Sequence, residues 1–326
     1  MSTMYGYEVR QADDVYVDLA EKALGALEND AMTQGTIVMT ILPFLCHIPT
    51  WMPGAGFKRF ALESAETLQR MREDPFQFVK KNLENGFGNP CMVSDLLKSS
   101  DDPDEEVIKN VAGVAYAAAA DTATSSLLSF TAAMALHPAV VKKCQVEIDL
   151  IVGNQRLPIF EDRQSLPYVE AVYREVMRWR PAIPLSLPHA VIDDDVYEGY
   201  FIPKGATVVA NIWAMTRDPT RYPDPELFKP ERFLDAEGNI CDDTILAYGF
   251  GRRICPGRYM GDATVWAFIA RSLAVFDFAL AKDASGNPIP IDVDDYTDNL
   301  ISLPKPFKCS ITPRSEAAIH LISSSE

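Results

Sequence analysis

The sequence predicts a mainly α-helical fold of the α+β kind, a single domain over residues 1–326. Three observations predict it. The first half carries apolar residues at helical spacing. A stretch opening at Asp102-Pro103-Asp104-Glu105 then runs to Leu136 with no proline after Pro103. Beyond about residue 185 the texture changes to short apolar runs cut by prolines and glycines.

Taken in order, a helix over 14–27 places Val15, Leu19, Ala23 and Leu27 on one face. A second, over 57–71, repeats the pattern with Phe60, Ala61, Ser64, Ala65 and Leu68. Asp102 as cap, Pro103 at the first position and Glu105 reaching back start a helix over 103–136. At 1.5 Å per residue it spans about 50 Å, a spine crossing a large domain. Helices over 140–152 and 168–180 follow, the second stopped by Pro181. Runs over 185–192, 196–202 and 207–210 read as short strands, and the proline-rich stretch 218–230 as a rigid loop. A last helix over 257–274 follows a glycine-rich loop, and 307–311 reads as a strand. Repeats and flexible linkers are absent from the sequence.

Thirty Lys and Arg stand against 46 Asp and Glu, a formal charge of −16. No basic cluster interrupts that excess, which excludes a nucleic-acid binder and favours a soluble monomer. The six cysteines form no C-x-x-C pair, which argues against zinc and iron–sulfur ligation; the even count also reads as three disulfides, but the scatter better suits reduced thiols inside a cell. Met1 to Arg10 does not read as a signal peptide. The most apolar segment, Thr36 to Met52, falls short of the ~20 residues of a membrane span. Pro43 and Pro49 also interrupt it. Two readings stay open for it: buried core, which the pattern alone favours, and a segment dipping into a bilayer interface with Trp51 at headgroup level.

The chemistry concentrates in Tyr248-Gly249-Phe250-Gly251-Arg252-Arg253-Ile254-Cys255-Pro256-Gly257. A glycine-rich loop before a helix invites a phosphate, but the spacing fits neither G-x-G-x-x-G nor the P-loop. Pro256 suits a first helical position, which places Cys255 at the cap with the N–H groups of Gly257 and Arg258 aimed at its sulfur. The helix N-terminus and Arg252, Arg253 and Arg258 favour an anionic sulfur. Glycines 249, 251 and 257 let a flat group lie against the backbone. A soft sulfur on such a shelf suits a haem iron. The alternative is an inert cysteine in a turn.

This loop resembles the haem-binding signature of the cytochrome P450 family, F-x-x-G-x-R-x-C-x-G. Gly251, Arg253, Cys255 and Gly257 match, and Tyr248 stands where the family usually has Phe. Three further motifs occur in the family's order. Ala118-Ala119-Ala120-Asp121-Thr122-Ala123 resembles the oxygen-activating A-G-x-D-T-T, with Ala119 for glycine and Ala123 for the second hydroxyl. Glu175-Val176-Met177-Arg178 matches E-x-x-R. Pro230-Glu231-Arg232-Phe233 matches the P-E-R-F box. The segment from Tyr200 through Pro219 is similar to fungal microsomal members, of the kind labelled O-methylsterigmatocystin oxidoreductase-like.

The resemblance implies a haem-dependent monooxygenase of fungal secondary metabolism or detoxification. Cys255 would be the axial ligand of haem b. Tyr248, Phe250, Gly251, Arg253, Gly257, Ala118 and His189 would line the cofactor, His189 as a donor to a haem propionate. Asp121 and Thr122 would relay protons. Glu175, Arg178 and Arg232 would form a buried structural cluster locking their helix to the cysteine loop. Substrate contacts fall at Val114 and Ala118, at Ile183, Leu185 and Leu187, and at Leu300 and Ile301. The implied partners are O2, an apolar small molecule and an NADPH-dependent flavoprotein reductase at the endoplasmic reticulum membrane, with no nucleic acid; residues 36–52 offer a peripheral membrane contact. The match runs from about Tyr5 to Pro313 but covers only the later two-thirds of a typical member, without its anchor and first helices. The alternative function is therefore a non-catalytic, truncated fragment unable to hold haem productively.

Overall fold

A computed structural model describes residues 1–26, 41–99, 101–242 and 244–324. Packing divides the chain into two compact units, Met1–Ala120 and Asp121–Glu326, and the division falls within one continuous helix, Glu105–Leu136.

In the first unit, helices Ser2–Tyr5, Val15–Ala26, Gly56–Glu84 and Met92–Lys98 pack with the start of the long helix around Tyr5, Leu19, Ala23, Met71, Phe76, Val79, Ile108 and Tyr116. Asp14 starts the second of these helices: its carboxylate accepts the N–H groups of Tyr16 and Val17 at 2.9 and 3.2 Å, and the hydroxyl of Tyr7 at 2.8 Å. The helix predicted over 57–71 runs on to Glu84, through Pro75. An interior proline costs about 3 kcal/mol. Here Pro75 is itself buried beside Phe76 and Val79, so the apolar stripe it belongs to outweighs the missing bond. The short helix Met92–Lys98 escapes periodicity because it is a capping device, with Cys91 N–H donating to Ser94 Oγ at 2.9 Å and Ser94 N–H to Cys91 Sγ at 3.4 Å.

The long helix starts at Glu105, two residues later than predicted. Asp104, not Asp102, caps it, accepting the N–H of Val107 at 3.1 Å.

The second unit builds its main core from the end of the long helix and from Pro138–Ile151, Pro167–Trp179 and Arg258–Val275, around Phe130, Met134, Ile148, Tyr173, Trp266 and Ile269. Pro138 and Pro167 each open a helix, where the missing N–H costs nothing. Among the described residues the sheets are three antiparallel pairs. β1 (His189–Ala190) pairs with β4 (Thr207–Val208), and β5 (Phe276–Leu280) with β6 (Cys309–Pro313). The strand predicted over 196–202 is a hairpin of β2 (Asp195–Tyr197) and β3 (Tyr200–Ile202). Its turn residues Glu198 and Gly199 have φ of 50° and 85°, the primed geometry that suits the strands' twist. A closing helix, Glu316–Ser323, was not predicted; Ser315 caps it. Cys91, Cys144, Cys241, Cys255 and Cys309 form no disulfide among the described residues.

Candidate active site

The loop around Cys255 is two short turns joined by glycines. Leu246–Tyr248 and Gly251–Arg253 are 3-10 turns, and Gly249 and Gly251 have φ of 76° and 56°, which a side chain would strain. The loop folds back on itself: Cys255 N–H donates to the Tyr248 carbonyl at 2.8 Å, and Ile254 N–H to that of Gly251 at 3.2 Å. The helix starts at Arg258 with Gly257 as cap, so Cys255 stands two residues ahead of the predicted position. The reason is local. The N–H of Arg258 is taken by the Cys255 carbonyl at 3.3 Å, closing a turn that contains Pro256. Gly257 nevertheless borders the sulfur, since a Cβ there would stand 3.7 Å from Cys255 Sγ.

These residues fit a haem. The thiol is half-buried, while a Cβ at Gly249 or Gly251 would meet nothing within 4 Å, so one side of the loop is an open shelf. Phe250, on that shelf, is 44% exposed. Among the described residues no group of three or more His, Cys, Asp or Glu could cage a bare ion. A lone sulfur donor suits a metal whose other ligands come with an organic ring.

A hydrogen-bond chain ties the loop to the helix Pro167–Trp179. The hydroxyls of Tyr248 and Tyr173 are 3.2 Å apart. Asp262, on the helix after the cysteine, acts electrostatically on Tyr173, and Arg163 grips both Asp262 and Glu170, the latter at 2.8 Å from Nε. The Arg163 guanidinium also lies 5.3 Å over the rings of Tyr173 and Trp266. Burial pushes the Tyr248 hydroxyl up to about 12. Burial likewise acts to raise the Asp262 carboxyl, but Arg163, followed by Tyr173, prevails and holds it below the usual carboxylate range. Arg163, Tyr173 and Asp262 were missed in the sequence; only the Tyr at 248 in place of Phe signalled that a hydroxyl partner had to exist.

Glu175, Arg178 and Arg232 do come together. Arg178 grips Glu175 through two bonds of 2.7 and 2.9 Å, and Arg232 Nε reaches it at 3.3 Å. Glu175 is fully buried and also accepts the N–H of Lys229 at 2.7 Å. The remaining donors go to the carbonyls of Thr216, Pro223, Asp224 and Leu227. The cluster therefore fastens its helix to the irregular stretch 216–232, whereas the expected lock on the cysteine loop is made by Tyr173 and Tyr248.

Asp121 and Thr122 are half-buried on the long helix, and the Thr122 carbonyl accepts Ser126 Oγ at 3.2 Å. Val114 and Ala118, earlier on that helix, are exposed. In the second unit Leu185 and Leu187 are 54% and 56% exposed, Ile183 and Leu300 half-buried and Ile301 buried. His189 is exposed on β1, paired with Val208, and Arg253 is exposed.

The cytochrome P450 family model matches residues 16–310 of this chain. The chain belongs to the cytochrome P450 family. It is similar to cytochrome P450 monooxygenase 208 of Postia placenta, with 42% identity over 98% of this chain and 62% of that protein. It is also similar to cytochrome P450 monooxygenase claR of Ampulloclitocybe clavipes, 41% identical over 98% of this chain and 60% of the relative. For cytochrome P450 monooxygenase ple1 of Rhodocybe pseudopiperita the figures are 41%, 99% and 63%. The chain thus spans about three-fifths of the length of these curated relatives. The mainly helical architecture with small sheets is that of a cytochrome P450, and the family's cofactor is haem.

Of the apolar segment 36–52, residues 36–40 lie outside the described residues. The rest is not core: Ile41, Phe44 and Trp51 are 69%, 64% and 80% exposed. Lys58 and Arg59 hold the segment from below, Lys58 Nζ on the carbonyls of Cys46 and Ile48, Arg59 on that of Thr50. With its carbonyls thus engaged, the turn Pro43–His47 presents side chains outward. Among the described residues no single helix is long and apolar enough to cross a membrane.

Proposed function

We propose that this chain carries the catalytic core of a haem-thiolate monooxygenase that places one oxygen atom from O2 into an apolar organic molecule. The observation that carries the reading is the loop itself: a half-buried thiol folded against Gly257, beside an open glycine shelf, on a loop tied to the helix Pro167–Trp179. Cys255 would hold the iron of haem b. Tyr248, Phe250, Gly251, Arg253 and Gly257 would cradle the ring, with Ala118 and His189 as further contacts.

Bound haem would supply the redox-active iron at which O2 is activated. The protein's share is holding, orienting and proton supply. The bond from Cys255 N–H to the Tyr248 carbonyl holds the Cys255 backbone against the loop, from which the sulfur would be presented beside the shelf. Asp121 would take a proton from solvent and pass it to Thr122 Oγ1, a hydroxyl able to donate and accept in turn. Ile183, Leu185, Leu187, Leu300, Ile301 and Val114 would offer apolar surface to the substrate and exclude water.

Electrons would come from NADPH through a flavoprotein reductase. Exposed Ile41, Phe44 and Trp51 would rest the chain peripherally on a membrane of the endoplasmic reticulum. Its place would be in fungal secondary metabolism or detoxification, a reading that the relatives support only in being fungal monooxygenases. The test is an incubation of haem-loaded chain, reductase, NADPH and a panel of apolar compounds under isotopically labelled O2. Label in a hydroxylated product supports the reading; NADPH use with no labelled product from any compound counts against it.

A further inference from the structure

Three segments of the second unit meet at one residue, Ser302. Ser125, on the long helix and fully buried, donates from Oγ to the Ser302 carbonyl at 2.6 Å. The N–H of Ser302 donates to the Ala182 carbonyl at 2.8 Å. The peptide groups flanking one residue thus join the long helix to the loop bearing Leu300 and Ile301, and that loop to the start of the segment Ile183 to Leu187.

The loop is pinned at its neck as well. Thr297 N–H donates to the Leu303 carbonyl at 2.8 Å, Leu303 N–H returns to Thr297 Oγ1 at 3.0 Å, and Tyr296 pairs with Pro304. One turn beyond Ser125, the hydroxyls of Ser129 and Tyr296 are 2.9 Å apart. Arg180 stands 5.4 Å over the Tyr296 ring and bonds Asp294 at 2.6 Å. Residues four apart share a helix face. Asp121, Ser125 and Ser129 are so spaced, with Thr122 three residues before Ser125, so the proton-handling pair and the two anchoring serines lie along one stripe. A serine inside a helix commonly bonds the carbonyl one turn back, as Ser126 does to Thr122. Ser125 is instead spent on another element.

We propose that Ser125 is a positioning residue: through Ser302 it fixes how far the apolar segments Ile183–Leu187 and Leu300–Ile301 stand from Asp121 and Thr122, and so sets the size of molecule the site admits. The proposal rests on the substrate-site reading given above. The other anchors of Ile183–Leu187 sit further along it: Trp213 N–H on the Pro184 carbonyl at 2.9 Å and Ala210 N–H on Ser186 Oγ at 3.2 Å. Losing the Ser125 bond frees the Ala182 end and the loop tip together, while the neck at Thr297 holds.

Two measurements on the full chain test it. Hydrogen exchange needs no haem. Ser125→Ala is expected to speed exchange of the Ser302 amide about fivefold or more, with the helix Pro167–Trp179 unchanged. Ser125→Thr, which keeps the hydroxyl, is expected to restore protection. Where Ser125→Ala fails to fold, Ser125→Val against Ser125→Thr gives the same comparison at matched shape. The second measurement titrates haem-loaded chain with imidazole and with phenylimidazole by difference spectroscopy. Ser125→Ala is expected to shift the ratio of their two dissociation constants about threefold or more, in line with one lost bond, with the carbon monoxide band unmoved. Unchanged exchange at Ser302 overturns the strap. Two constants that move together, or not at all, overturn its control of size. A chain that takes up no haem overturns the proposed function and the control of size with it, while exchange still decides the strap.

Discussion

The hydroxyls of Tyr173 and Tyr248 meet at 3.2 Å, and this contact joins the helix Pro167–Trp179 to the loop that bears Cys255. Tyr248→Phe, which restores the residue the family usually carries, is expected to lower stability by about 1 kcal/mol, the net worth of one hydrogen bond. Tyr173→Phe removes the same contact and is expected to cost about as much. Urea midpoints at unchanged slope read both; equal midpoints for parent and Tyr248→Phe would show that the contact contributes nothing.

Glu175 is the charge whose loss matters most. Glu175→Ala leaves Arg178 and Arg232 facing one another without their counter-ion, and is expected to cost about 3–5 kcal/mol. The exposed pair of Lys143 and Glu231 offers the contrast. Lys143→Ala is expected to cost under about 1 kcal/mol. Denaturation of the two variants side by side checks the ranking, and a Glu175→Ala chain as stable as Lys143→Ala would contradict the buried-cluster assignment.

Thr122→Ala is expected to leave NADPH consumption largely intact while product per NADPH falls about tenfold or more, with hydrogen peroxide released in its place. The measurement is product, peroxide and NADPH in one incubation. Unchanged coupling would remove Thr122 Oγ1 from the proton path.

Asp14 sets an acid limit on the first unit. Burial acts to raise its carboxyl, but the N–H groups of Arg10, Val17 and Tyr16 and the Tyr7 hydroxyl outweigh it and bring it down to about 2. An unfolded Asp titrates near about 3.9. The folded value is the lower one, so the stabilisation is complete above the unfolded value and disappears as pH falls from about 4 through about 2. Asp14→Ala is expected to cost about 1–2 kcal/mol at neutral pH, as a lost helix cap, and progressively less as pH falls from about 4 through about 2. Stability curves of parent and variant that stay parallel down to pH 2 would contradict this.

Ile41, Phe44 and Trp51 are exposed on the segment whose carbonyls Lys58 and Arg59 hold. The chain is expected to float with liposomes of mixed neutral and anionic lipid, with Trp51 fluorescence moving to the blue. Ile41→Asp combined with Trp51→Ser, checked for retained folding, is expected to sink. If the double variant floats as well as the parent, the membrane contact lies elsewhere.

What was legible in the sequence was local. Cys255, its glycines and the Glu175–Arg178 spacing could be read because each motif closes within ten residues. Helix starts at Pro138 and Pro167 were nearly right for the same reason. The misses are contacts between distant residues. Nothing near Arg163 announces Asp262, 99 positions away, and nothing near Ser125 announces Ser302. Pro75 shows propensity yielding to burial, and the Glu198–Gly199 hairpin was hidden because both its strands are apolar enough to read as one. The cap moved to Gly257 because the Cys255 carbonyl takes the Arg258 N–H, and to Asp104 because its carboxylate, two residues further on, is the one that accepts the Val107 N–H.

The carbon monoxide difference spectrum of the reduced, haem-loaded chain bears most directly on Cys255. The parent is expected to show the red-shifted Soret band of thiolate ligation, and Cys255→Ala, matched for fold by circular dichroism, is expected to lose it. A Cys255→Ala chain that keeps the red-shifted band would contradict the assignment of that sulfur to the iron.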